Sequence, residues 1–359
     1  MILISIAVKS LRRLVAVRRS LRRTTVSASL LCAFRLRHVQ ILHQQICPRD
    51  CGGRAQALLR NLLCDQSRVS RRKSSPLRPE SFLRRLGPYV RSVIILQLAC
   101  ALHVSHPYLG IPKAVKLVAQ AGFDAFEISP SIPRQLSRSD IKSLKSSLDR
   151  NDIPFAGFTS IYPPEMILAS KSRTARRNSI LYTKRLIETT SSLEGRHLVW
   201  GSGRSRNIPK HVPFKKGFSW LIHLLKESGT LADAKGIKIA IEPQNRFEST
   251  IIHNVREAVS LAKLVKHTSI GVVYDTFHTS LEEDSFTTPI LLAGKRLAAV
   301  HVSDCNRKIP GKGHIDFAPI FESLKKVHYD GYITLEAILD RDLRHDLISA
   351  RRYLAKMIE

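Results

Sequence analysis

The chain has 359 residues, of which 43% are hydrophobic and 24% are charged. This composition allows a sizeable apolar core and excludes a chain that is disordered throughout. The formal net charge of +29 is high and would ordinarily indicate binding to nucleic acid or to a membrane surface. The charge is uneven, because residues 1–97 contain 20 Lys and Arg against only three acids, Asp50, Asp65 and Glu80. More than half of the excess charge therefore belongs to an N-terminal segment and does not describe the rest of the chain.

Residues 1–91 form a basic leader that is rich in arginine and serine and poor in acids. We expect this leader to be unstructured, or to be upstream sequence translated from a start codon that precedes the natural one. The same composition is typical of a transit peptide, which would make the protein organellar, and of a nucleic-acid-binding arm. We leave the leader out of the fold prediction and place one folded domain at residues 92–359.

The cysteines and the apolar runs bear on the cellular compartment. None of the six cysteines forms a C-x-x-C pair, and the spacing of His43, Cys47, Cys51 and Cys64 fits no common zinc finger. The best apolar run, at 93–96, is too short to cross a bilayer. We therefore expect a reduced, cytoplasmic protein without a membrane span.

Residues 92–359 alternate short apolar runs with longer amphipathic stretches, a pattern typical of parallel strands joined by helices. Eight strands are predicted, at 98–103, 123–129, 154–159, 197–201, 237–242, 270–275, 298–303 and 332–337. Eight helices are predicted, at 112–121, 137–151, 174–193, 215–235, 254–266, 288–294, 317–327 and 341–358. Gly122, Gly236 and Gly331 precede strands and are expected to end helices. Because the stretch is close to the roughly 250 residues of one (β/α)₈ barrel, we predict an α/β fold of the TIM-barrel class.

Four consecutive strands, the fifth to the eighth, each end in a polar residue after an apolar run. These residues are Glu242, Asp275, His301 and Glu336. In such barrels the chemistry lies at the C-terminal ends of the strands, so the four side chains should share one rim. Their oxygen and nitrogen atoms suit Mn²⁺, Mg²⁺, Co²⁺ or Zn²⁺, of which we favour Mn²⁺. Each residue taken alone is also compatible with an ordinary strand-end group bonded to a neighbouring loop.

Five segments carry a resemblance to a known family. They read Ile-Glu-Pro-Gln-Asn-Arg-Phe-Glu at 241–248, Tyr-Asp-Thr-Phe-His at 274–278, His-Val-Ser-Asp-Cys-Asn-Arg at 301–307, Pro-Gly-Lys-Gly-His-Ile-Asp-Phe at 310–317 and Leu-Glu at 335–336. In these strings and their spacing, residues 98–359 resemble the sugar isomerase/epimerase superfamily with its xylose-isomerase-like barrel. Within that superfamily they look like the D-tagatose 3-epimerase, or ketose 3-epimerase, family. The E-P-x-N-R-F-E string is fairly specific, whereas D-T-x-H alone recurs across related barrels.

The resemblance implies roles for seven side chains. A divalent metal ion would be held by Glu242, Asp275, His301 and Glu336. The first hydroxyls and the carbonyl of a sugar would be held by Glu248, His278 and Arg307. Without the resemblance, these last three residues are also compatible with a solvated loop acid, a helix cap and one of many surface arginines.

The chain departs from the family pattern near its seventh strand. The family often has an E-N-D-R-G string where this chain has Asp304-Cys305-Asn306-Arg307-Lys308. Lysine in place of that glycine puts the substrate in question and favours a phosphorylated or acidic sugar. The basic segment 201–209 resembles a G-S-x-x-x-R-x-I-P loop of the superfamily, and we expect it either to face the rim or to be a solvated loop.

The site predicts a metal-dependent epimerase or isomerase of a ketose or sugar phosphate, working through a cis-enediolate. A cation that bridges the carbonyl and hydroxyl oxygens would stabilise the enediolate as charge develops. Glu242 and Glu336 are the candidates for the acid/base pair, one carboxylate on each face of the sugar. Protonation at the neighbouring carbon would make the same site an aldose–ketose isomerase, and the sequence leaves both outcomes open.

Three alternatives belong to other classes or reactions. An AP endonuclease of the endonuclease IV type shares the barrel and the D-T-x-H string, but it needs further histidines on strands two to four, and strands three and four do not end in histidine. A non-enzymatic binding protein would require that the four residues bind no metal. Inosose dehydratase and hydroxypyruvate isomerase belong to the same superfamily. We expect a small-molecule sugar as partner, no specific nucleic acid, no membrane, and a homo-oligomer, a dimer or tetramer, by analogy.

Deleting residues 1–90 is expected to leave the fold and the specific activity intact, because no predicted barrel element lies there. The deletion should also weaken non-specific binding to polyanions, since it removes most of the charge imbalance. The salt concentration that elutes each protein from heparin, together with circular dichroism, measures both effects. A truncated protein that is insoluble or inactive would show that the leader is integral to the fold.

Overall fold

Eight parallel strands form a closed barrel in which each strand pairs with its neighbours in sequence and the first pairs with the eighth. The computed structural model describes residues 96–102, 109–130, 135–340 and 342–358. The strands are β1 (Gln97–Ala101), β2 (Ala125–Ile128), β3 (Phe155–Phe158), β4 (His197–Trp200), β5 (Lys238–Ile241), β6 (Ile270–Asp275), β7 (Leu297–Val302) and β8 (Tyr332–Leu335). Because the pairing Gln97↔Tyr332 joins β1 to β8, the sheet has no free edge.

Ten α-helices connect and follow the strands. They are α1 (Ile111–Gln120), α2 (Arg138–Asn151), α3 (Arg173–Ser192), α4 (Gly203–Arg206), α5 (Phe214–Lys235), α6 (Val255–Val265), α7 (Thr276–Glu282), α8 (Thr288–Ala293), α9 (Ala318–Lys326) and α10 (Leu343–Ile358), with a 3₁₀ turn at Gly294–Arg296. This count refers to the described part of the chain, and within it no helix combines the length and the apolar run that a bilayer span requires.

The inner face of the barrel is filled mostly by small side chains. Two clusters of strand residues do this, Ala99, Ala125, Ala156 and Tyr332 in one and Val199, Ala240, Val273 and Ala299 in the other. Residues two apart on a strand share a face, so Ala240 and Ala299 share the inner face with Glu242 and His301. The packed interior thus forms a floor beneath the C-terminal ends of the strands.

The TIM-barrel prediction is confirmed in architecture and in element order. All eight predicted strands and all eight predicted helices are present, with ends that differ by no more than two residues. Two short helices, α4 and α7, were not predicted. Both follow strands at the C-terminal rim. The predicted leader at 1–91 lies outside the described residues.

Two of the three glycines expected to end helices do so. Gly236 caps α5 with φ of 68°, and Gly122 follows α1 with φ of 86°, conformations that an L side chain rarely adopts. The expectation for Gly331 is wrong. The turn after α9 uses His328, whose φ is 57°, as its left-handed residue.

Candidate functional site

Four side chains converge at the C-terminal end of the barrel, as the sequence predicted. Glu242 follows β5 directly, Asp275 is the last residue of β6, His301 is the penultimate residue of β7 and Glu336 follows β8. Each offers one oxygen or nitrogen atom, and these atoms all lie within 4.8 Å of one another. Every one of the four residues is at most 3% exposed. The chain therefore gathers three carboxylates and one imidazole in a space almost closed to solvent.

His301 lies between two of these carboxylates. Its Nδ1 is 3.3 Å from Glu242 Oε1 and 3.2 Å from Glu336 Oε2. Asp275 is held differently, since it caps the N-terminus of α7 and its Oδ1 accepts a hydrogen bond of 3.0 Å from the backbone N–H of His278.

The buried charges shift the pKa values of the cluster. Burial raises the pKa of Glu242, the proximity of His301 opposes that effect, and the negative charge of Glu336 adds to it. Burial by itself would lower the pKa of His301, but the attraction of Glu336 and Glu127 outweighs burial and raises it well above the ordinary value. Without a cation, the imidazolium thus supplies positive charge among the carboxylates. A metal bound at Nδ1 would take over that role, with release of the proton.

Among the buried polar atoms without a hydrogen-bond partner in the described part of the chain are Glu242 Oε1, His278 Nε2 and Arg307 Nη1. Buried polar groups are normally paired, so such atoms indicate a ligand or an ordered water. A carboxylate oxygen accepts only, which fits a cation. The two nitrogens fit the oxygens of a polar substrate. The donor set of the four converging residues therefore fits a divalent metal ion.

The three residues expected to hold substrate lie beside this cluster. His278, in α7, is buried, and its Nδ1 lies 3.0 Å from Asn245 Nδ2 and accepts from the backbone N–H of Asn245, so the proton of the neutral ring sits on Nε2. Arg307 Nη2 lies 3.5 Å from Glu336 Oε2, and Arg307 Nη1 lies 3.5 Å from Glu248 Oε1. Glu248 is 44% exposed and faces the more open side.

Arg307 is held by the loop that follows β7. Its φ of 58° is left-handed, and its guanidinium lies 4.6 Å from the ring centre of Phe277. The buried carboxylate of Asp304 organises this loop by accepting backbone N–H groups of Cys305, Gly311 and Ile315. Burial opposes the charge of Arg307, but the attraction of Glu336 and Asp275 outweighs it and raises the pKa of Arg307. The departure at Lys308 is exposed, and its backbone takes part in this loop.

A buried polar cluster behind His301 was missed by the sequence analysis. Glu127, on β2, contacts His301, His197 and Thr334, and all four residues are at most 2% exposed. Burial opposes ionisation of Glu127, but the charges of His301 and His197 and their hydrogen bonds outweigh it, and the pKa of Glu127 lies well below its ordinary value. The sequence feature that could have indicated this cluster is an acid in the middle of a buried apolar strand, Phe126-Glu127-Ile128.

Arg206 was expected in a loop that is either rim-facing or solvated; its segment follows β4 at the rim, and the solvated alternative is wrong for this residue. It ends α4, is 1% exposed, and donates to the carbonyls of Trp200, Glu242 and Ile252. Ile252 has a φ of 61°, which is strained for a β-branched residue. Arg206 therefore ties the end of β4 and a strained loop to the backbone of Glu242, while its neighbour Arg204 is exposed.

Comparisons with known proteins identify the family and the relatives of this chain. Residues 115–357 match the family model described as xylose isomerase-like TIM barrel. The chain is 32% identical to the D-psicose 3-epimerase of Ruminiclostridium cellulolyticum over 227 residues, which are 62% of this chain and 76% of that one. It is 36% identical to the L-ribulose 3-epimerase of a Methylomonas species over 228 residues, 64% of this chain and 78% of the other. A crystal structure of D-psicose 3-epimerase with D-tagatose, from Clostridium cellulolyticum, is similar with a TM-score of 0.66 at 25% identity, covering 74% of this chain and all of that one.

Replacing Arg206 by methionine is expected to lower the free energy of unfolding by about 3 kcal/mol, because three carbonyls lose a charged donor in a dry site. Arg204→Met on the same short helix is the matched control and should change stability by no more than about 0.5 kcal/mol, since Arg204 is exposed. Urea denaturation followed by circular dichroism measures both. Equal effects of the two substitutions would contradict the role given to Arg206.

Proposed function

We propose, given that the chain belongs to the xylose isomerase-like TIM barrel family and that its relatives are ketose 3-epimerases, that it inverts a carbon next to the carbonyl of a ketose with the help of a divalent metal ion. Epimerisation itself follows from the relatives. The metal, the residue roles and the choice of sugar are the proposal. One observation carries it: two buried glutamates approach the same nitrogen of His301 inside a four-residue group of metal-capable atoms.

The metal is proposed to bind Glu242, Asp275, His301 and Glu336. Three carboxylate oxygens and one imidazole nitrogen suit Mn²⁺ best among the cations considered, with Co²⁺, Mg²⁺ and Zn²⁺ as alternatives. Buried Glu242 Oε1 contacts His301 Nδ1 at 3.3 Å without good hydrogen-bond geometry to any of the described residues, which supports a cation at this place. When bound, the cation would stabilise negative charge that develops on the sugar oxygens.

The acid/base pair is proposed to be Glu242 and Glu336. The two residues follow β5 and β8, on different sides of the barrel mouth. One carboxylate would remove the proton from the carbon beside the carbonyl, giving an enediolate, and the other would return a proton to the opposite face. In the structure without a metal ion, burial and the negative charge of Glu336 raise the pKa of Glu242.

The substrate oxygens are proposed to contact His278, Arg307 and Glu248. His278 Nε2 and Arg307 Nη1 are buried donors without a hydrogen bond to the residues described, although Arg307 Nη1 has an ion-pair contact with Glu248, so a hydroxyl or carbonyl oxygen of the sugar would satisfy them. Glu248 sits on the exposed side, within 3.5 Å of Arg307, and would accept from a hydroxyl. A planar, doubly donating guanidinium is well suited to neighbouring sugar oxygens.

A free ketose is the substrate class we favour, since the relatives are named for D-psicose and L-ribulose. A sugar phosphate is the second candidate, motivated by Lys308 in place of the family's glycine. A panel of free and phosphorylated ketoses, assayed with Mn²⁺ and NMR detection of products, distinguishes the two. The AP endonuclease alternative finds less support, because the metal-capable atoms found in the described residues form the single four-residue group above, and β3 and β4 lead into Thr159 and Gly201.

Chelation with EDTA is expected to abolish turnover, and added Mn²⁺ or Co²⁺ should restore it. His301→Ala should lower the bound metal, measured by elemental analysis, because it removes a ligand. His278→Ala should keep the metal and lose activity, which makes it the matched control. Full turnover in a rigorously demetallated sample would rule out the metal-dependent mechanism.

Reaction in D₂O is expected to place one deuterium at the inverted carbon, C3 of a ketose, because the proton returned comes from a carboxylate that exchanges with solvent. Glu336→Gln and Glu242→Gln should each lower kcat by roughly 10²–10⁴-fold, the usual value of one positioned proton transfer. Metal content has to be measured in parallel, since both glutamates are also proposed ligands. Inversion without deuterium, seen by NMR, would eliminate the two-carboxylate route.

A further inference from the structure

Glu127 lies behind the proposed metal centre, and its carboxylate is fully buried with histidines of two other strands. One oxygen, Oε1, is 3.1 Å from His301 Nε2. The other, Oε2, is 3.2 Å from His197 Nε2 and accepts a hydrogen bond of 2.8 Å from Thr334 Oγ1. We propose that Glu127 is a positioning residue that orients the His301 ring and holds its proton on Nε2, so that Nδ1 presents a lone pair to the metal. This inference rests on the metal site proposed above.

The orientation of the His301 ring follows from what each nitrogen faces. Nδ1 is turned toward Glu242 and Glu336, at 3.3 and 3.2 Å, and therefore toward the four-residue group. Nε2 is turned away from that group, toward Glu127. A neutral imidazole has one N–H and one lone pair, and a carboxylate can only accept. A cation held among Glu242, Asp275 and Glu336 would need the lone pair on Nδ1, which leaves the single N–H on Nε2, where the Glu127 oxygen at 3.1 Å can accept it.

Glu127 can perform this task because it is itself held from several strands. Thr334 on β8 and His197 on β4 both engage Oε2, which leaves Oε1 for His301. Gly157 on β3 makes room for the His197 ring, since a Cβ at that position would come within 2.7 Å of Cδ2 and 2.9 Å of Nε2. The carboxylate therefore has little freedom to rotate. Partners of this kind behind a metal-binding histidine set its orientation and raise its basicity.

Glu127→Gln is the first variant to test, because it keeps the shape of the side chain and removes its charge. The amide retains one accepting oxygen and gains a donor, so it cannot accept from His301, His197 and Thr334 together. We expect the Kd for Mn²⁺ to rise about 10–100-fold, measured by calorimetric titration of MnCl₂ into chelator-treated full-length protein. Thr334→Val is the matched control. It removes a hydrogen bond from the same carboxylate but leaves the oxygen that faces His301, and it should lower thermal stability while changing the Mn²⁺ affinity little.

A second measurement reports the protonated nitrogen of the His301 ring directly. In the full-length protein labelled with ¹⁵N-histidine and loaded with diamagnetic Zn²⁺, the His301 ring should carry its proton on Nε2, with a downfield, slowly exchanging resonance that moves upfield in Glu127→Gln. A ring protonated on Nδ1 would overturn the inference. So would a Glu127→Gln protein that binds Mn²⁺ as tightly as wild type, or a loss of affinity in both variants that merely parallels their loss of stability. A wild-type protein that binds no Mn²⁺ would instead remove the metal site itself, and this inference with it.

Discussion

The burial of three carboxylates at one point is the constraint on which the rest of the site depends. Glu242, Asp275 and Glu336 are each at most 3% exposed, and an ion taken out of water without compensation costs several kcal/mol. Positive charge in contact with them makes the arrangement tolerable. His301 supplies it as an imidazolium, and Arg307 supplies it from the loop after β7. With a divalent cation in place of the imidazolium proton, two charges from the metal and one from Arg307 balance the three carboxylates.

Other buried charges of the structure support this centre by binding backbone groups. Asp304 accepts backbone N–H groups from three residues of the loop that carries Arg307. Arg206 donates to three carbonyls, one of which belongs to Glu242. A charged side chain that binds backbone fixes a loop more firmly than an ion pair between flexible side chains would, because fewer rotatable bonds remain free. The loops after β4 and β7 are thereby held around a site that a sugar epimerase must keep rigid.

The site is rigid at its base and more open at its entrance. The Glu127 cluster and the small side chains of the barrel interior fill the space below the four converging residues. On the other side, Glu248 is 44% exposed, and Arg307 reaches from it to Glu336. Arg307 thus joins the part of the site that would contact the substrate from solvent to the part where a proton would move. Glu248 and Glu336 thus differ widely in exposure, although both pair with the same guanidinium.

The sequence by itself determined the barrel and its rim. Apolar runs of strand length that alternate with amphipathic stretches predicted all eight strands and the eight helices between and after them. The spacing of apolar residues within each element depends only on which of its own residues are buried, so it is visible in the sequence. The rim residues Glu242, Asp275, His301 and Glu336 could be identified because each closes such a run. Only the tertiary structure decided which side chains meet. Glu127 contacts His197, His301 and Thr334 across separations of 70, 174 and 207 residues, and no local pattern encodes contacts that exist only once the barrel closes. Arg206 likewise looks like an exposed loop arginine in the sequence, and only the folded chain buries it against the carbonyls of Trp200, Glu242 and Ile252.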